Sequence, residues 1–192
     1  MNESDEALMQ AYQGGDHTAM EHLFEHNKLR ILNFCFGILG SRADAEEVAS
    51  EVFLAVIKHK ESYQPHRTFS TWVYTIARNL CLNRIRERRR VINVWFATKT
   101  ADSDDSWDIA DTKELTRESM ERKERARAVR RAIAALPVEQ REAIVLKQYH
   151  GFSYQEISHI LECSLEKVKI LIFRAKAHLK ASLVSYIEEA TS

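Results

Sequence analysis

The sequence predicts an all-α protein of two helical domains joined by a flexible acidic linker. Three observations predict this class. Glycine and proline are scarce, five and two in 192 residues, too few for the turns of sandwiches or barrels. Apolar residues recur at three- and four-residue steps along most of the chain, the period of an amphipathic helix. One stretch, 92–116, has no sustained period and reads TKTADSDDSWDIADTKE over most of its length, a polar, acidic composition suited to a linker.

The elements follow in order. A first helix is expected from Ser4 to Gln13, with Leu8, Met9 and Tyr12 on its apolar stripe and Gly14-Gly15 stopping it. A second runs from Asp16 to Leu39, with Gly40 as its left-handed cap. Ser41 opens a third through a capping-box variant, Ser-x-x-Asp with Asp44. The acidic residues of its first turns complement the helix dipole. Residues 61–68 read as a loop broken by Pro65, and a fourth helix is expected from Phe69 to Arg90. A basic, solvated helix is expected from Glu114 until Leu136-Pro137 breaks it, and compact helices follow to Ile187. The domains are therefore 1–91 and 117–192, with 92–116 between them.

Charge is segregated along the chain. The formal net charge is zero, which is not the footprint of a nucleic-acid binder taken whole. Residues 61–91, however, carry seven basic and two acidic residues, and 117–192 carry 14 and 10. Phosphates are neutralised locally, so these two blocks outweigh the sum. Cys35, Cys81 and Cys163 lack metal-type spacing and read as reduced thiols of a cytoplasmic protein. The acidic N-terminus has no apolar signal region, and no apolar run approaches the roughly 18 residues of a membrane span.

Residues 154–173, YQEISHILECSLEKVKILIF, carry a helix-turn-helix pattern. Ile157, Ser158, Leu161, Val168 and Leu171 fill its apolar and small positions, and Ser164 can cap the second helix. Glu162 stands where glycine is usual, because a left-handed residue fits there most cheaply. An ordinary helical hairpin is the plainer alternative. In the other basic block, Trp72, Ile76, Asn79, Asn83 and Arg86 share a helix stripe. Arg78, Arg84, Arg88, Arg89 and Arg90 crowd the same helix. Rings, amides and guanidinium groups on one surface suit single-stranded bases and phosphates. Alternatively Trp72 and Ile76 are core, and the arginines only complement the helix C-terminus.

Three stretches together, DAEEVASEVFLAVIKH (44–59), FSTWVYTIARNLCLNRIR (69–86) and ALPVEQREAIVLKQYHGFSYQEISHIL (135–161), resemble the bacterial sigma-70 family. The resemblance is to its extracytoplasmic-function (ECF) group, which keeps only regions 2 and 4. It implies a non-enzymatic factor, without cofactor or metal, that binds core RNA polymerase and directs promoter-specific initiation. Region 2 (1–91) would dock on the β′ clamp helices through Asp44, Glu47, Val48, Glu51, Val52 and Phe53. It would open and read the −10 element with Tyr63, Arg67, Thr71, Trp72, Arg78, Asn79, Asn83 and Arg86. Region 4 (117–192) would contact the β flap, and the −35 element through Ser153, Lys167, Lys169, Arg174 and Lys176. The linker would thread the RNA-exit region. An anti-sigma factor is a common partner in that group. This chain departs from the family pattern at Ser50, at Asn83 and at Ile170-Leu171, where a Ser-Arg pair is frequent. Loss of that arginine removes a DNA contact, so the −35 preference should differ from that of typical relatives.

Simple lengths constrain this reading. The two elements lie roughly 25 base pairs apart, about 85 Å at 3.4 Å per pair. A relaxed 25-residue coil spans only about 25–30 Å. The free chain is not expected to hold both elements correctly, so polymerase must impose the spacing. Competing readings are weaker. A conventional helix-turn-helix regulator leaves the stripe Asn79-Asn83-Arg86 without a role, and a helical adaptor leaves both basic blocks unexplained. A zinc site at His150, His159 and Cys163 is disfavoured because a helix break falls between the last two. No phosphate loop or nucleophile elbow is present in the sequence.

Overall fold

The computed structural model describes residues 4–65, 67–95 and 117–191. All secondary structure among them is helical: α1 (Asp5–Gln13), α2 (His17–Leu39), α3 (Arg42–Lys58), a 3-10 turn (Lys60–Ser62), α4 (Phe69–Trp95), α5 (Arg117–Ala134), α6 (Val138–Gln148), α7 (Tyr154–Ile160) and α8 (Leu165–Thr191). The local signals in the sequence set most boundaries. Ser4 and Asp16 accept backbone N–H groups of the first turns of α1 and α2. Gly40 ends α2 at φ 70°, and its N–H donates to the Phe36 carbonyl, the left-handed cap that glycine adopts most cheaply. Ser41 accepts from the Asp44 N–H at 3.4 Å. The Asp44 carboxylate does not complete the box, because it pairs with Arg84 and Arg88 instead.

One boundary and one helix's burial differ from expectation. Helix α4 continues to Trp95, so the first residues assigned to the linker are helical. The rest of that linker, 96–116, and its path through polymerase lie outside the described residues. Helix α5 is not solvated throughout, since Ala132 and Ile133 near its end are buried. Long-range packing overrides the polar composition of its earlier turns.

Helices α1 to α4 form the first unit, around Leu23, Ile31, Phe34, Val48, Val52, Phe69, Val73 and Tyr74. Helices α5 to α8 form the second, around Ile144, Leu146, Ile157, Ile160, Val168 and Ile172. The hydrophobic core runs from one unit into the other. Helix α2 packs on α5 and α6, and α4 packs on α7.

Candidate nucleic-acid interface

The helix-turn-helix forms as its pattern predicts. Ile157, Leu161, Val168 and Leu171 are buried between α7 and α8. Ser164 accepts the Lys167 N–H at 3.2 Å. Glu162 takes φ 51° in the turn, so the left-handed conformation is imposed on a residue that holds it at some cost. Lys167, Lys169, Arg174 and Lys176 are all exposed on α8, and Lys167 also pairs with Glu139 at 2.9 Å. The Ser153 side chain is engaged by the fold itself. It accepts the Glu156 N–H, and Glu156 accepts the Ser153 N–H, closing a capping box before α7.

On α4 the sequence-derived residues separate into two groups. Asn79, Asn83 and Arg86 are exposed on one stripe, with Trp72 and Ile76 half-buried behind them. Arg86 donates to the Asn83 side chain at 3.2 Å. Arg67 is exposed in the preceding loop. Tyr63 and Thr71, in contrast, are buried. Tyr63 packs on Phe69 and Trp72 and donates its hydroxyl to the Arg67 carbonyl at 2.9 Å. Thr71 shares a hydrogen bond with Thr68. Both shape the loop from within and present no surface to a base.

The arginines also divide. Arg84 pairs with Glu47 at 2.7 Å, Glu51 at 3.2 Å and Asp44 at 3.5 Å. Its hydrogen bond and positive charge hold the Glu47 carboxyl below its usual range. Arg88 pairs with Asp44. Arg78 reaches into the second unit, to Glu142. Three of the five arginines read as phosphate ligands thus have carboxylate partners. Periodicity placed them on the right helix but could not show which acids α3 and α6 bring opposite them.

The residues expected to dock polymerase split in the same way. Val48, Val52 and Phe53 are buried in the first unit, so they support α3 rather than face a partner. The outer face of α3 carries Glu47, Ser50, Leu54 and Ile57, with Leu54 65% exposed. Phe24 of α2 lies beside it and packs edge-on against Phe53. Sequence reasoning also missed Glu6 and Gln13 of α1. Glu6 accepts the Phe69 N–H at 3.0 Å, and Gln13 donates to the carbonyls of Lys60 and Tyr63. These contacts pin the loop before α4 across more than 45 residues of sequence, and no local motif signals them.

The two units meet through an aromatic and polar seam. Phe34 and Tyr74 pack against His150 and Phe152 with ring centroids 4.8–5.7 Å apart. The Tyr74 hydroxyl and His150 Nδ1 lie 2.8 Å apart. Arg141 donates to the Ile38 carbonyl at 2.6 Å. Arg78 Nε donates to Glu142 Oε1 at 3.1 Å, and Glu142 is only 1% exposed. Burial outweighs Arg78 and pushes the Glu142 carboxyl up to about 7. Burial, with the nearby Arg30 charge, pushes His150 down to about 4.

These two groups act on stability in opposite senses. Glu142 is harder to ionise folded than unfolded, so its contribution is lost as pH rises from about 4.5 to 7. His150 is harder to protonate folded, so its contribution is lost as pH falls from about 6.5 to 4. Wild-type stability should therefore stay nearly flat over their shared window. Replacing Glu142→Gln removes one slope. Relative to wild type, the variant should gain about 3 kcal/mol between pH 4.5 and 7.5, read by urea denaturation at each pH. A constant difference across that range would contradict the burial of an ionisable Glu142.

Comparison with known proteins agrees with this geometry. Residues 23–91 match the model of sigma-70 region 2, and residues 126–179 match that of sigma-70 region 4. The chain is 30% identical to the ECF RNA polymerase sigma factor SigW of Bacillus subtilis over 173 residues, covering 88% of this chain and 91% of SigW. It is 27% identical to the RNA polymerase sigma-H factor of Pseudomonas aeruginosa, over 98% of both chains. In fold it is similar to the sigma factor RpoE of Bartonella quintana, solved in complex with the anti-sigma factor NepR, with a TM-score of 0.69 at 20% identity over 85% of this chain and 95% of that one. Two sigma-70 models in order, on two helical units, lead to one assignment: the chain belongs to the sigma-70 family, among the ECF RNA polymerase sigma factors, non-enzymatic subunits that bind core polymerase and promoters.

Proposed function

We propose that the first unit, region 2, docks on the β′ clamp helices of polymerase and opens the −10 element, while the second, region 4, engages the β flap and the −35 element. The observation that carries this is the exposure of Asn79, Asn83 and Arg86 as one stripe, while neighbouring Arg78 and Arg84 are engaged by carboxylates. An exposed amide and guanidinium face suits unpaired bases. Arg67 and half-buried Trp72 border it. The cations of α8 suit the backbone of a duplex. The docking surface is the outer face of α3: Leu54 and Ile57 as apolar contacts, rimmed by Glu47, Glu51 and Asp44. The protein acts in the cytoplasm, where polymerase is, and an anti-sigma factor, the partner seen with RpoE, holds it in reserve.

The seam between the units then has a mechanistic role. Packed helices lie about 10 Å apart between axes, so α4 and α7 in contact keep the two reading faces within a few tens of Å. The promoter elements are about 85 Å apart. The closed form cannot hold both, and it also sequesters Arg78. It is the resting state, and polymerase opens it by binding each unit on a separate surface.

Adding the protein to core polymerase should produce open complexes on some members of a promoter library. No stimulation on any promoter would overturn the proposal. Leu54→Glu places a charge on the docking face without touching the core. It should weaken binding to core polymerase at least tenfold, about 1.4 kcal/mol or more, as loss of an interface anchor does. Thermal stability should be unchanged. Undiminished binding would exclude this face of α3 from the interface.

A further inference from the structure

The outward face of α8 combines residue types in a way that the basic block alone does not explain. Its inner face is Val168, Ile172, Ala175 and Leu179. At about 100° per residue, positions 166, 170, 173 and 177 fall on the opposite side within roughly 60° of one another. They are Glu166, Ile170, Phe173 and Ala177, and all are exposed. Phe173 is 74% exposed and Ile170 49%. Leu171, the other half of the off-pattern pair, is buried and belongs to the core. Cations line both edges of the ridge. Lys167 and Arg174 lie on one side, and Lys169, Lys176 and Lys180 on the other.

A single exposed apolar residue needs no explanation. Two neighbours forming a ridge between two rows of cations are a shaped surface. The major groove of B-form DNA, about 12 Å wide, admits one helix. Phosphates line its two rims, and base edges form its floor. A helix seated there turns its ridge to the floor and its flanking cations to the rims. The apolar group on that floor is the 5-methyl of thymine. An isoleucine and a phenylalanine bury well against methyl groups but offer no hydrogen bond to a guanine edge.

Resting on the reading of α8 as the −35 helix, we propose that Ile170 and Phe173 determine upstream specificity by packing on thymine methyl groups. The chain thereby replaces hydrogen-bonded readout at this turn of the helix with methyl readout. Cations on both sides hold the helix in register and carry no sequence preference.

The test uses full-length protein assembled with core polymerase. Promoters are first selected from a library randomised across the upstream element. Each thymine of a recovered element is then replaced by deoxyuridine, which keeps every hydrogen-bonding group and lacks only the methyl. At one or more positions the wild-type holoenzyme should bind about three- to tenfold more weakly, the scale of one lost methyl contact. Phe173→Ala or Ile170→Ser should make those positions insensitive to the same replacement. Both side chains are exposed, so the variants should fold as wild type does. Deoxyuridine tolerated at every position, while other bases there weaken binding, would overturn methyl readout and leave the −35 assignment standing. So would sensitivity that survives in both variants, as expected if the ridge is covered by a protein partner instead. Selection that yields no upstream preference would overturn the −35 assignment of α8 itself, and methyl readout with it.

Discussion

Gly37→Phe is expected to part the two units of the free protein without unfolding either. Gly37 lies within α2, and a Cβ added there would stand 3.1 Å from Cγ1 and 3.4 Å from Cγ2 of Val145 on α6. Alanine would need Val145 to give by a few tenths of an ångström. A phenyl ring has no room while the seam is closed. Within α2 itself the change is favourable, because glycine costs a helix interior up to about 1 kcal/mol relative to better formers. The clash therefore falls on the contact between units. A compact chain of this length has a radius of gyration near about 16 Å, and two units on a relaxed linker approach about 25 Å. Small-angle scattering should move towards the larger value. If the closed form is the resting state, polymerase affinity should rise as well, because binding no longer has to open the seam. A tenfold gain corresponds to about 1.4 kcal/mol of opening cost. An unchanged radius with unchanged affinity would show that this contact does not restrain the protein.

The seam also marks where the sequence stops being informative. Chain-local signals were legible: the helix starts near Ser4 and Asp16, the caps at Gly40, Ser41 and Ser164, the apolar stripes, and the left-handed turn at Glu162. Each depends on residues at most four apart. What periodicity could not supply is the partner of a polar side chain. Arg78 and Arg84 looked like neighbours with one role. Helix packing sets the first against Glu142 and the second against Glu47 and Glu51. Val48, Val52 and Phe53 match a family motif that binds polymerase, yet they face inward. A motif of hydrophobic residues on an amphipathic helix marks its core side as readily as its contact side. Tyr63 and Thr71 are buried by contacts of the loop before α4, Tyr63 through its hydroxyl on the Arg67 carbonyl and Thr71 through Thr68. Glu6 and Gln13, far away in sequence, hold the loop that contains Tyr63.

Replacing both Asn79 and Arg86 with alanine should impair promoter opening far more than polymerase binding. Both residues are exposed, and Arg86 bonds to Asn83 within the same stripe, so stability should change by no more than about 0.5 kcal/mol. Neither lies on the α3 face, and affinity for core polymerase should stay within about twofold. Opening differs because each unstacked base costs a few kcal/mol that protein contacts must offset. A good amide or guanidinium contact to a base edge is worth about 1–3 kcal/mol. Losing two, about 2 kcal/mol or more, should reduce open complexes about thirtyfold or more, measured by permanganate reactivity of −10 thymines with saturating holoenzyme. Arg84→Ala supplies the contrast from the same helix. It releases Glu47 and Glu51 from their cation and leaves Asn79 and Arg86 in place. It should therefore change polymerase binding and its salt dependence, while opening by the bound fraction stays near normal. Equal loss of binding and opening in the Asn79/Arg86 variant, or selective loss of opening in Arg84→Ala, would reverse the division of labour on α4. The amide and guanidinium stripe would then be structural, and the α3-paired arginine would be the one that meets DNA.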